Sequence, residues 1–175
     1  FQDVDGGAQK IVHILKHEIS HGLRRYGDIG KDEETTGKTK ELVSDAANLR
    51  GRETYRSVNA IDQYLAVTNR EGATPEEIQQ KEEWLSEELM SEKIAAYLQS
   101  GGEFGGFLNA IWTVMSPDNQ RNLMADKDAL DSWTEENRFF FDKIKAEMSD
   151  KAGLKEKIIT KTAEARQRLA QETFD

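Results

Sequence analysis

Apolar residues recur along this chain at the spacings of amphipathic helices, and nowhere do they alternate for long with polar ones. Val12, Leu15, Ile19 and Leu23 form one such stripe, which predicts a first helix over about Ala8 to Tyr26. His17 and His21 fall on roughly the opposite side of it. "YGDIGKDEETTGK" (26–38) holds glycines and small polar residues and reads as a loop. A long helical stretch is expected from Thr39 to Thr68, with Leu42, Ala46, Leu49, Val58, Ile61 and Leu65 as its apolar face. Gly51 marks where it can bend or break.

"NREGATPEE" (69–77) is a second loop that ends in a helix start. Thr74 can cap, Pro75 suits the first helical position and Glu77 completes a capping box. The helix so opened should reach about Gln99, and "SGGEFGG" (100–106) is the most flexible-looking segment of the chain. Next come a short apolar helix, "FLNAIWTVM" (107–115), a cap at Ser116-Pro117-Asp118, and a helix over "DALDSWTEENRFFFDKIKAEM". Trp133 and Phe139 to Phe141 belong most simply to a core. The last segment, Leu154 to Phe174, is charge-rich and reads more readily as a solvated appendage than as a packed helix.

Composition agrees with this pattern. Two prolines in 175 residues, a mean hydropathy of −0.75 and 33% charged residues fit a mainly α fold with little or no sheet. The expected division is one domain over residues 1–106 and a C-terminal helical extension over 107–175, packed on the first or continuous with it. The chain begins with Phe1, so it is expected to be a piece of a longer polypeptide, whose remainder would be a partner. A net charge of −9 argues against nucleic acid or an anionic membrane as the main partner. No apolar run reaches the roughly 18 residues that span a bilayer. With no cysteine, any metal must be held by His, Asp or Glu.

All three histidines lie in "HILKHEISHG" (13–22), and His17-Glu18-Ile19-Ser20-His21 is H-E-x-x-H. Residues four apart stack on one helix face about 6 Å apart, close enough for two imidazoles to reach one Zn²⁺. Glu18 stands about 100° round the helix, beside such an ion, where it can move a proton from water to a leaving amine. His13 continues the series, but lies about 12 Å from His21 along the axis. It is expected to line the cleft or make a core hydrogen bond.

This motif resembles that of the zincin metallopeptidases. The longer H-E-x-x-H-x-x-G-x-x-H pattern is absent, so the likeness is to the glutamate-type branch, the gluzincins. That resemblance implies a third ligand from a later helix. In "EELMSE" (87–92) Glu88 would bind the ion and Glu92, one turn on, would accept the other N–H of His17, with Ser91 as the small residue between. "EEWLSE" (82–87) offers the same local pattern with Glu83 in the ligand place, and Glu92 itself is a further alternative.

The resemblance covers about residues 8–99. It implies a zincin-like domain using Zn²⁺ to hydrolyse bonds in a peptide or protein substrate, as in phage and plasmid multi-domain proteins and polymorphic toxins. Zincins usually place a small sheet before the motif helix, and only about ten residues precede it here. The sheet is therefore expected to be tiny or supplied from elsewhere. The other expectation is a structural or assembly protein, such as a virion component, that keeps an inherited site without proteolysis. Hydrolysis would also need a group to steady the developing oxyanion. Tyr55, Tyr64, Tyr97, Arg24 and Arg25 are the candidates, each more simply read as structural.

Overall fold

The computed structural model describes the backbone of residues 4–101 and 104–174, and the side chains from 12 onward except at 102–105, 107, 165, 166, 169, 170 and 172–175. The fold is mainly α. Its helices are α1 (Val4–Gly27), α2 (Glu33–Ser44), α3 (Ala46–Leu49), α4 (Tyr55–Thr68), α5 (Pro75–Ser100), α6 (Phe104–Val114), α7 (Pro117–Ala125), α8 (Lys127–Asp150) and α9 (Leu154–Phe174). A turn of 3₁₀ helix, Arg50–Arg52, links α3 to α4. Among the described residues there is no strand, only an isolated bridge between Thr54 and Met115.

Short polar side chains set most of the helix starts. Asp32, Thr54, Thr74, Ser116 and Asp126 each accept a hydrogen bond from the backbone N–H three residues on, so a donor that the helix cannot satisfy is satisfied by the side chain. Pro75 and Pro117 follow their caps directly, where a missing N–H costs nothing. The Asp32 cap starts α2 at Glu33, so the loop expected through residue 38 is shorter than its composition suggested. The single stretch expected over 39–68 is broken twice, at Asp45 and again over Arg50–Thr54. The flexible segment expected at 100–106 falls partly on 102 and 103, outside the described residues. Gly101 ends α5 at a φ of 76°, a left-handed turn that glycine adopts without strain.

Helix α5 is the hub, with α1, α2, α4, α6 and α8 packed around it. From Leu85 to Leu98 most of its side chains are buried, on every side, which is the mark of a central helix rather than an amphipathic one. Three apolar clusters surround it. Leu23, Ile29, Met90, Ile94, Phe140, Ile144 and Ile158 form one, Ala96, Ile111, Trp133 and Phe141 belong to another, and Val43, Leu49, Ile61, Leu85 and Leu89 to the third. The helices beyond residue 107 thus share clusters with α1 and α5.

Two expectations change. The stripe assigned to α1 is only in part its buried face: Leu23 is buried and Ile19 packs on the first cluster, but Val12 is 43% exposed, while His13, His17 and Ser20 are buried. The buried arc sits between the apolar stripe and the histidine side, because α5 offers acceptors that satisfy buried imidazoles. The last segment is also anchored at its start, where Leu154 and Ile158 pack on the core. A Cβ on Gly22 would meet Ile158 Cγ2 at 3.0 Å, so the glycine after the H-E-x-x-H motif admits α9 to the helix. Beyond Ile158 most of the described side chains of α9 are exposed.

Candidate metal centre

Helices α1 and α5 run antiparallel, and their polar residues interdigitate along the seam. On α1 the histidines recur every four residues. On α5, Glu88, Ser91, Glu92 and Gln99 face them. His21 stands against Ser91 and Glu88, His17 between Glu88 and Glu92, and His13 between Glu92 and Gln99.

At one end of this ladder three groups converge. His17 Nε2 donates to Glu88 Oε2 at 3.0 Å and lies 3.1 Å from His21 Nε2, and His21 Nε2 is 3.3 Å from Glu88 Oε1. One ligand atom from each residue lies within 4.8 Å of the others, so His17, His21 and Glu88 form a group that could hold a metal ion. Two imidazoles and a carboxylate are hard-to-borderline donors suited to a divalent cation. The group is walled on one side and open on the other. The His17 side chain is 1% exposed, against 22% for His21 and 18% for Glu88.

Behind the ligand atoms, Glu92 fixes the His17 ring. His17 Nδ1 donates to Glu92 Oε2 at 2.6 Å, which leaves Nε2 as the nitrogen facing the site. The other oxygen, Oε1, accepts from His13 Nε2 at 2.5 Å and from Thr54 Oγ1 at 3.0 Å. Glu92 is almost wholly buried, and a bare carboxylate so placed would be costly without such donors.

Electrostatics follow from this packing. Burial opposes a charge on His17, but hydrogen bonds to Glu88 and Glu92 outweigh it and raise its pKa to about 9. His13 also titrates above its ordinary value: burial works against the proton, and the Glu92 hydrogen bond and charge overcome it. Glu88 and Glu92 are held well below the usual carboxylate range, burial being outweighed by donors from the histidines.

The site residues expected from sequence come together in part. Glu18 is half exposed, with Arg56 Nη2 at 4.0 Å as its cation. Glu83 is exposed and makes no contact with the imidazoles, and Glu92 faces Nδ1 of His17 rather than the shared site. His13 makes buried hydrogen bonds, as one of the two roles expected for it. Of the expected oxyanion groups, Arg24 donates to the carbonyls of Ile29 and Gly30, Tyr97 packs on Phe141, and Tyr64 lies against the third apolar cluster. Tyr55 alone of these lines the cavity next to the site. That cavity measures about 230 Å³ and is walled by His13, Ile14, Tyr55, Arg56, Glu92 and Val114.

Sequence reasoning missed Thr54 and Arg56. Thr54 had a signal, since it caps α4, but a cap does not reveal which buried carboxylate its hydroxyl also meets. Nothing local marks Arg56. Its place beside Glu18 depends on how α4 crosses α1, and its Nε is buried without a hydrogen-bond partner among the described residues.

No protein-family model, curated protein or solved structure matches this chain.

Proposed function

We propose that the chain is a zinc-dependent peptide-bond hydrolase, with His17, His21 and Glu88 holding the ion and Glu18 as the proton-transfer group. One observation carries the reading: the two H-E-x-x-H imidazoles and a carboxylate from a distant helix converge, with Glu92 fixing His17 from behind. A tetrahedral ion bound at about 2.0–2.1 Å sets its ligand atoms roughly 3.3 Å apart. The two imidazole nitrogens, 3.1 Å apart, lie close to this, and Glu88 meets them through separate oxygens, Oε2 at 3.0 Å from His17 and Oε1 at 3.3 Å from His21. When bound, zinc supplies Lewis acidity, polarising a carbonyl and acidifying a water.

The rest is the work of this chain's own side chains. Glu18, half exposed on the helix that carries both imidazoles, is the carboxylate proposed to take a proton from attacking water and return it to the leaving amine. Arg56 Nη2 stands 4.0 Å from Glu18 and is the cation proposed to steady the developing oxyanion. Ile14, Tyr55 and Val114 give the adjoining cavity apolar walls, with room for one side chain of a peptide.

Digestion of an unfolded protein by the zinc-loaded chain tests this. Wild type should cleave it, and Glu18→Gln should keep its zinc while losing at least about 100-fold in rate. Cleavage that persists in Glu18→Gln removes that residue from the mechanism. A second reading, a structural or assembly protein with the ligand set and no hydrolysis, draws support from the absence of an edge strand for substrate among the described residues. It requires wild type, with or without zinc, to cleave nothing.

A further inference from the structure

We infer that His13 is a positioning residue for the metal centre, acting on His17 through the carboxylate they share. The ladder places Glu92 between two imidazoles, with a separate oxygen for each: Oε2 for His17 Nδ1 at 2.6 Å, Oε1 for His13 Nε2 at 2.5 Å. A carboxylate bonded through one oxygen can swing about its Cγ–Cδ bond. Bonded through both, it has one plane. His13 is held in turn, since its Nδ1 donates to Gln99 Oε1 at 2.6 Å. Gln99, His13, Glu92 and His17 therefore form a continuous chain of short hydrogen bonds leading to the atom that would bind the metal.

Burial explains why this chain can transmit position. His13 is 2% exposed and Glu92 2%, so water cannot replace either partner cheaply. Thr54 Oγ1 also meets Oε1, at 3.0 Å, but a hydroxyl rotates freely and cannot set the carboxylate plane as a ring donor does. A neutral histidine buried in a core pairs one donor and one acceptor nitrogen. His13 faces an acceptor at each, and one of them is the group that orients a metal ligand. The i, i+4, i+8 spacing of the histidines thus has a reason even though His13 is too far from His21 to share an ion.

This inference rests on the metal reading of the site and not on hydrolysis, so its test is binding. Zinc affinity is measured by competition with a chromophoric chelator for wild type, His13→Leu, His13→Gln, Glu92→Gln and the double variant His13→Leu/Glu92→Gln. His13→Leu should bind zinc about tenfold more weakly, in the range typical of residues behind a metal ligand. His13→Gln, which keeps a donor toward Glu92, should recover most of that loss. In the Glu92→Gln background His13→Leu should change affinity by less than about threefold, because the route through the carboxylate is already gone.

Cobalt in place of zinc gives an independent readout. The visible spectrum should shift in His13→Leu and return toward wild type in His13→Gln. If His13→Leu binds as tightly as wild type, or if its loss adds in full to that of Glu92→Gln, the inference is overturned while the metal reading stands. If wild type binds no zinc, both fall. Should His13→Leu not fold, His13→Asn carries the same cycle, its shorter amide failing to reach the carboxylate that His13→Gln contacts.

Discussion

Replacing Glu92 by glutamine keeps the volume of the side chain and removes its charge, which isolates what the carboxylate does for His17. Glu92 accepts three hydrogen bonds while almost wholly buried. An amide offers one acceptor oxygen and one NH₂ group. With metal on Nε2, His17 Nδ1 must donate, so the amide oxygen has to face His17 and the NH₂ then faces His13 and Thr54. Thr54 can turn its hydroxyl to accept. His13 can give up its Nε2 proton and accept from the amide, keeping Nδ1–H on Gln99.

Two charge-assisted bonds thus become neutral ones, each a loss of about 1 kcal/mol. The bond to His17 bears directly on the ligand, and about 1.4 kcal/mol there is tenfold in affinity. Zinc affinity of Glu92→Gln should therefore fall about 5- to 30-fold, and metal-free stability by about 2 kcal/mol. Glu92→Ala should be worse for the fold, by about 3–5 kcal/mol, since it leaves buried donors with nothing to meet. Chelator competition at neutral pH and urea melts of the metal-free chain measure the two quantities. Glu92→Gln binding zinc as tightly as wild type would refute the claim that this carboxylate orients His17.

Other consequences concern pH and packing. His17 titrates near 9 in the fold against 6.5 free, so the metal-free protein holds extra stability that is complete below about pH 6.5 and is lost as pH rises through about 9. Zinc has to displace that proton, so its affinity should climb about tenfold per pH unit over the same window, and a flat profile by competition titration would contradict the assignment. Lys93→Met should destabilise the chain by about 3–5 kcal/mol in urea melts, because the buried Glu53 loses its cation at 3.4 Å; pairing it with Glu53→Leu should recover most of the loss. Ile158→Ala empties a buried contact of α9 on α1 and should cost about 2–4 kcal/mol while leaving one zinc per chain.

Most of the architecture was legible because the chain marks its helix ends. The Thr74-Pro75 start of α5 and the Ser116-Pro117 start of α7 are local chemistry, so they read directly. The Asp32 cap was hidden among glycines and small polar residues that also suit a loop, and the two breaks between Ser44 and Tyr55 depend on contacts with distant helices. His17 and His21 were readable from spacing, whereas the resemblance fitted Glu88 and Glu83 alike, and the packing of α5 on α1 is what brings Glu88 to the imidazoles. Which face of α1 is buried was not, because a hydropathy stripe treats histidine as polar and cannot foresee acceptors on α5 that satisfy it. Arg56 and Thr54 reach the site from α4 and its cap, and no spacing within one segment reports a crossing of two.

Calorimetric titration of the chain with zinc decides whether His17, His21 and Glu88 share an ion. Wild type and Glu83→Ala should each take up one ion per chain, and Glu88→Ala should lose that site. A chain that takes up no zinc, or one whose binding survives Glu88→Ala unchanged, would contradict a metal centre built by His17, His21 and Glu88.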